Sequence, residues 1–188
     1  MQVLPKAYSN FFLFCTLTGL RASECVEAVR LINSQNNLTN EPRAETVRGL
    51  TSTKYYNPEL QVLQHYRFPD IFIRRTKAVY ISIVDKEILG VAQSINKTPT
   101  LNALKMQSRH RSLNMKVKYC RKIYASWLHR CGISSDLVDM LQGRIGKNIF
   151  LKHYLTPAAD YKDSVLDALK QLQYTHCINC HCITKLNS

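Results

Sequence analysis

No apolar run in this sequence approaches the ~18 residues that a helix needs to cross a membrane. No transmembrane helix is therefore expected in it. Met1 to Lys6 has no basic stretch leading into an apolar core, so no secretory signal peptide is expected. Internal repeats and low-complexity tracts are missing, which argues against a repeat architecture. No Asp/Glu cluster suited to Mg²⁺ stands out. Acidic residues are scarce altogether: 13 Asp and Glu face 26 Lys and Arg, a formal net charge of +13. A surplus of that size favours a polyanionic partner, most simply nucleic acid.

What remains is the composition of a soluble globular chain, with 45% hydrophobic and 21% charged residues. Its 188 residues suffice for one domain with a real core. Seven cysteines are present. Cys15, Cys25, Cys120 and Cys131 sit in apolar, helix-like stretches and read as buried thiols of a reducing compartment.

Along the chain, Phe11, Phe12, Phe14, Cys15 and Leu17 predict a mostly buried helix over 6–18, ended by Thr18-Gly19-Leu20. Ser23 is the expected N-cap of a second helix through Ile32. Residues 33–60 read as a long polar connection, with room for a short helix around Ala44 to Leu50. Ile71-Phe72-Ile73 and Ala78 to Val84 predict a hairpin whose cationic turn, Arg74-Arg75-Thr76-Lys77, carries Lys77. Residues 85–94 are weakly helical. A helix follows from Pro99 to about Arg109. The next, about Lys116 to Cys131, shows a stripe of Val117, Cys120, Ile123, Tyr124, Trp127, Leu128 and Cys131, and Gly132 ends it. Ser134 or Ser135 caps a helix over Leu137 to Leu141, and a loop, Gln142 to Lys147, leads towards Tyr154. A last amphipathic helix is expected over 158–173, with Val165, Leu166, Leu169 and Leu172 on one face. The expected fold class is α+β, mainly α-helical, with a small antiparallel sheet.

The residues suited to phosphate chemistry occur in order. Arg21 lies between two helices in Thr18-Gly19-Leu20-Arg21-Ala22-Ser23-Glu24, and Lys77 lies at the hairpin. Lys118 and Arg121 are three apart on a helix, hence neighbours on its surface. Arg144 sits in Gly143-Arg144-Ile145-Gly146, and Tyr154 follows ten residues later. Guanidiniums are permanently charged and bidentate, so they suit the extra negative charge of a pentacoordinate phosphate. A lysine can protonate a leaving oxygen. A tyrosine can hold the broken phosphodiester as a covalent link, and its pKa of ~10 makes it a fair leaving group in return.

This ordered set resembles the tyrosine recombinase (integrase) family. TGLRASE is similar to the family's first-arginine motif. Lys118-Tyr119-Cys120-Arg121 resembles its His-x-x-Arg element, with Lys in place of His. Leu141-Gln142-Gly143-Arg144 resembles its Leu-Gly-His element, with Arg in the His position. Lys152-His153-Tyr154 resembles the stretch ending in the nucleophile. Both substitutions resemble archaeal virus and plasmid integrases of the fusellovirus type. The resemblance implies a recombinase catalytic fold over 1–156, with a C-terminal helix and Cys-rich tail over 157–188 belonging to the same domain or exchanged between protomers.

It implies Tyr154 as nucleophile, Arg21, Arg121 and Arg144 on the scissile phosphate, Lys118 assisting there, Lys77 as general acid and Glu24 orienting Arg21. Lys54 and Lys86 are alternatives to Lys77, and Tyr161 to Tyr154. Without His at 118 or 144, no neutral base for Tyr154 is apparent. Arg74, Arg75, Lys105, Arg109, Arg111, Lys116 and Lys122 are expected against the DNA backbone.

The expected partners are double-stranded DNA and further copies of the chain, a tetramer on DNA by resemblance. No cofactor is expected, and the action would be on DNA inside the host cell, in the cytoplasm. The stretch before Arg21 is too short for the DNA-binding domain that such enzymes usually carry upstream, so the chain is expected to be part of a longer protein. A type IB topoisomerase activity and a catalytically inactive DNA-binding relative are the alternatives.

In the tail, Cys177, Cys180, His181 and Cys182 are a weak candidate for zinc. The Cys-x-x-Cys-His spacing also matches a c-type haem attachment pattern. A disordered terminus or a short packed segment is the expectation.

Overall fold

The computed structural model describes residues 5–37, 55–74, 77–110, 116–144 and 160–185. The helix expected around Ala44 to Leu50 lies outside them.

Helix α1 (Lys6–Thr18) is the hub. Phe11, Phe14, Cys15 and Leu17 are all fully buried, because four further helices, Ala22–Asn37, Lys86–Gln93, Lys118–Arg130 and Tyr161–Lys185, pack around it. A helix enclosed on this many sides cannot leave hydroxyls unpaired. Thr16 and Thr18 donate back to the carbonyls of Phe12 and Phe14, at 2.9 and 2.8 Å. Gly19 ends α1 in the left-handed region (φ 63°), its N–H on the Cys15 carbonyl at 3.1 Å.

Helix α2 (Ala22–Asn37) starts one residue before the expected Ser23 cap and runs five residues past Ile32. The Arg21 carbonyl accepts from Cys25 N at 2.8 Å, and the Glu24 carboxylate accepts from Arg21 N at 2.9 Å. Glu24 thus makes the acidic half of a capping box, and Ser23 sits inside the first turn.

The β structure differs in detail from the single hairpin expected. Strands β1 (Tyr56–Asn57), β2 (Val62–Gln64) and β5 (Ile81–Ile83) form one antiparallel sheet in the order β1-β2-β5. A separate two-stranded sheet pairs β3 (Ile73–Arg74) with β4 (Lys77–Ala78), with Ile73 opposite Ala78 and Arg74 opposite Lys77. Pro69–Phe72 is a short helix, α3, rather than strand, because Pro69 at its first position favours helical φ. The Ala78 to Val84 stretch is split: Val79 N is drawn to the Phe72 carbonyl, and β5 then pairs with β2. Lys77 is therefore a strand residue rather than a turn residue.

Helix α4 (Lys86–Gln93) is capped by Asp85, which accepts from Ile88 N at 2.9 Å. Helix α5 (Leu101–His110) begins two residues beyond Pro99, with the Thr100 hydroxyl accepting from Ala103 N. Helix α6 (Lys118–Arg130) buries Cys120, Tyr124 and Leu128, a narrower stripe than its sequence suggests. Ile123 and Cys131 are exposed, so Cys131 is not a core thiol, whereas Cys15, Cys25 and Cys120 are. Helix α7 (Ser135–Leu141) is capped by Ser134.

Helix α8 (Tyr161–Lys185) extends well past residue 173, so the tail continues a helix instead of forming a disordered end. Its face of Val165, Leu166, Leu169 and Leu172 is buried in this chain's own core, against α6, α1 and β5. The Trp127 indole N–H donates to the Ala168 carbonyl at 2.7 Å and pins α8 to α6.

Beneath the larger sheet lies a polar group that sequence reading did not single out. His65 is fully buried, its Nδ1 2.7 Å from the Tyr55 hydroxyl and its Nε2 2.8 Å from Ser82 Oγ. The Phe72 ring centroid is 4.3 Å from its own. Burial lowers the His65 pKa from 6.5 to about 3, so the ring is neutral in the fold.

An added Cβ on Gly19 would lie 2.6 Å from the Tyr124 ring, whereas one on Gly132, also at positive φ (84°), would meet nothing. Gly19→Ala should therefore cost about 2–4 kcal/mol, strain plus overpacking, and Gly132→Ala only about 1–2 kcal/mol. Equal losses in urea melts would contradict the Gly19–Tyr124 contact. For His65, the folded pKa lies below the unfolded one, so the unfolded chain binds the extra proton between about pH 3 and pH 6.5. Its contribution is complete above that window and is lost as pH falls through it, by about 1.4 kcal/mol per pH unit. His65→Phe should flatten the pH dependence of stability below pH ~6.5 by about that slope. An unchanged slope would show that the ring is charged in the fold.

Candidate active site

Glu24 is the centre of the site, with its side chain 1% exposed. Its Oε1 is 2.5 Å from Arg21 Nη1, and its Oε2 is 3.9 Å from Arg121 Nη1. The sequence places Arg21 at the N-cap of α2 and Glu24 one turn in, so the carboxylate reaches back to both the Arg21 amide and its guanidinium. Tyr124 on α6 packs against Gly19, and Arg121 lies one turn before it, which carries Arg121 to the same carboxylate.

Arg121 is also held from α7. Its Nη2 donates to the Gln142 main-chain carbonyl at 2.9 Å, and the Gln142 side-chain Nε2 donates to the Arg121 carbonyl at 2.9 Å. Burial, then the nearby Arg21, lower the Arg121 pKa to about 10; Glu24 acts the other way and Arg144 adds to the lowering. The group stays charged at neutral pH. Arg121 Nη1 is buried without a hydrogen-bond partner. Arg144 follows through the Gly143 turn, with Arg144 N on the Asp139 carbonyl at 2.8 Å and its guanidinium 3.8 Å from the Asp139 carboxylate. It is the most open of the three arginines, with side-chain exposures of 46% against 20% for Arg21 and 13% for Arg121.

Gly143 brings in the hairpin. At φ 61°, an added Cβ would lie 2.6 Å from Val79 Cγ2 and 2.7 Å from the Ala78 carbonyl carbon and oxygen. The backbone beside Lys77 therefore abuts the turn that carries Arg144, while Lys77 itself is exposed. Lys118 is exposed too, its ammonium 5.6 Å from the Tyr119 ring centroid; Arg121, three residues on, turns inward.

Of the other residues singled out in the sequence, Arg74, Lys105, Lys116 and Lys122 are exposed, with Lys122 5.8 Å from the Tyr119 ring centroid. Lys86 is the exposed first residue of α4, and Tyr161, at the start of α8, packs on the core. Arg109 lies on α5, and Cys177, Cys180, His181 and Cys182 on α8, but their side chains are outside the described residues. Tyr154, Arg75, Arg111 and Lys54 are wholly outside them. Among the described residues no group of His, Cys, Asp or Glu could hold a metal ion, and no helix is long and apolar enough to cross a membrane.

An arrangement of three guanidiniums, two of them held by one buried carboxylate, suits an anion with several oxygens. Residues 76–166 match the family model of the archaeal phage integrases. That match supports an integrase family. It takes in Lys77, Lys118, Arg121, Arg144 and Tyr154 but not Arg21 or Glu24. No curated protein and no solved structure matches the chain. The integrase match implies DNA integration or recombination, with DNA as the partner.

Sequence reading missed Gln142, Gly143 and Gly19 as parts of this arrangement. For Gly143 and Gly19 the signal was there, in glycines that directly flank a helix end and an arginine. Gln142 lies inside the Leu141-Gln142-Gly143-Arg144 motif, but nothing local marked its role, since its contact is with a residue 21 positions away.

Glu24 supplies the negative charge that lets Arg21 and Arg121 approach. Glu24→Gln should lower stability by about 1–3 kcal/mol. Sulfate should restore more of the melting temperature in that variant than it adds to the wild type, because the anion replaces the missing charge. An equal response to sulfate in both proteins would mean that the arginines do not form one anion site.

Proposed function

We propose that the chain is the catalytic part of a tyrosine recombinase of the fusellovirus type, which cuts and rejoins DNA through a covalent 3′-phosphotyrosyl intermediate. The observation that carries this reading is the convergence of Arg21 and Arg121 on buried Glu24, with Arg144 close enough to Arg121 to lower its pKa, in a chain whose residues 76–166 match the archaeal phage integrases.

In this reaction the Tyr154 oxygen attacks the scissile phosphorus and the 5′-oxygen leaves. Phosphorus stays esterified throughout, so no external energy source is needed. The arginines hold the non-bridging oxygens, where negative charge grows in the transition state. Glu24 keeps Arg21 in place. Lys77 protonates the leaving oxygen, and Lys118 assists at the phosphate. A 5′-hydroxyl from a second strand then attacks the phosphotyrosine and releases Tyr154.

Arg74, Arg75, Lys105, Arg109, Arg111, Lys116 and Lys122 bind the flanking backbone, where the net charge of +13 gives a salt-dependent affinity. Strand exchange requires several such sites around two duplexes, so assembly of copies on DNA, as a tetramer, belongs to the proposal.

The test is a nicked suicide duplex, from which the cleaved fragment diffuses away, followed by denaturing electrophoresis. The wild type should leave a covalent adduct. Tyr154→Phe should leave none while its DNA affinity stays within about twofold, since one phenolic oxygen adds little to phosphate binding. An adduct in the Phe variant, mapped to Tyr161, would falsify the choice of nucleophile. A wild type that binds the duplex and never forms an adduct would remove strand transfer altogether.

A further inference from the structure

Arg121 presents its guanidinium from a half-buried helix, and an arginine side chain loses ~2 kcal/mol of rotamer entropy when it is fixed. Glu24 alone does not fix it, because its oxygen is 3.9 Å from Nη1, too far for a hydrogen bond. The firm contact comes from the end of α7. The Gln142 carbonyl lies at a helix C-terminus, where carbonyls lack intrahelical partners and carry partial negative charge. It accepts from Arg121 Nη2 at 2.9 Å. The Gln142 side chain closes the loop by donating from Nε2 to the main-chain carbonyl of Arg121, also at 2.9 Å.

We propose that Gln142 is a positioning residue, which sets the Arg121 guanidinium through this reciprocal pair of hydrogen bonds and so holds its charge in place beside Arg21 and Arg144. The proposal rests on the strand-transfer reading for its consequence in catalysis, though not for the geometry itself.

Gln142 is fully buried, and its Oε1 has no hydrogen-bond partner. A buried amide with one idle acceptor is a poor choice for stability alone, since an unsatisfied polar atom carries a desolvation penalty. Its donor, by contrast, is used on the one arginine that sits deepest. The same residue joins the site's parts in sequence: it is followed by Gly143, which abuts Ala78 beside Lys77, and by Arg144. One turn therefore registers Arg121, Arg144 and the Lys77 strand against each other.

Gln142→Met keeps the volume and unbranched shape of the side chain and removes the donor. Two measurements decide. The first needs no activity: the Arg121 Nε–Hε resonance, assigned by its loss in Arg121→Lys, should shift and broaden in Gln142→Met, while the melting temperature moves by only a few degrees. The second is adduct formation on the nicked duplex. Gln142→Met should slow it at least tenfold at saturating DNA, with the half-saturating DNA concentration changed less than threefold. In an Arg121→Lys background the same substitution should slow it less than threefold, because its route through the guanidinium is already gone.

An unmoved Arg121 resonance overturns the proposal, as does an equal slowing in both backgrounds. If the wild type forms no adduct, strand transfer fails while the resonance still decides whether Gln142 sets Arg121. If adducts form and the resonance is unmoved, Gln142 fails alone.

Discussion

The Glu24 carboxylate is the charge on which the rest of the site depends. Two guanidiniums brought together in a partly buried place repel, and neither can shed its proton near neutral pH. A carboxylate between them, 2.5 Å from Arg21 and 3.9 Å from Arg121, offsets that repulsion, and its hydrogen bond fixes where Arg21 points. The same group also accepts the Arg21 amide N–H and so starts helix α2. Local helix capping and active-site electrostatics are thus one interaction. Arg21 cannot drift without unravelling the first turn of α2, which gives a loop arginine the rigidity of a helix end.

The scaffold around this carboxylate explains how distant segments meet. Helix α1 is enclosed by α2, α4, α6 and α8, so the helices that carry Glu24 and Arg121 are referred to one buried rod, and α7, with Arg144 in the turn after it, packs on α6. Two glycines make the close approaches. Gly19 lets the Tyr124 ring come down onto the turn before Arg21, and Gly143 lets the turn before Arg144 touch the strand beside Lys77. A side chain at either place would push apart elements that the site needs within a few ångströms. Both take positive φ, which glycine adopts without the strain another residue would carry there.

The C-terminal helix bears on how copies of the chain could associate. Its apolar face is used within the chain: Val165 and Leu169 are fully buried, and Trp127 donates to the Ala168 carbonyl. A helix held by both apolar burial and an indole hydrogen bond is part of the core in this arrangement, so exchange between protomers would require an equivalent set of contacts from a neighbour. The cationic surface is separate from this face. Lys116, Lys118 and Lys122 stand exposed at the start of α6, the last two near the Tyr119 ring, on the helix that also sends Arg121 inward.

Much of this was legible in the sequence, for local reasons. Apolar density predicted the buried α1, three- and four-residue spacing predicted α6 and the buried face of α8, and the glycines marked where α1 and α6 stop. The order of Arg21, Lys77, Arg121 and Arg144 could be read directly, because residue type and motif spacing are local properties. Other features were decided only by tertiary contacts. The stretch 71–73 has strand-forming side chains, yet Pro69 and the pull of Val79 on the Phe72 carbonyl make most of it a helical turn. Cys131 belongs to the helical stripe by spacing but lies beyond the last covered turn, so it is exposed. Ser23 is a better capping residue than Arg21 by type, but the Glu24 carboxylate reaching the Arg21 amide moved the helix start. The roles of His65 and Gln142 were not legible, because each owes its role to partners 10 to 21 residues away across the fold. Sequence fixes what each segment can form and which charges it carries; which polar groups end up buried together depends on long-range packing, and that packing placed Gln142 against Arg121.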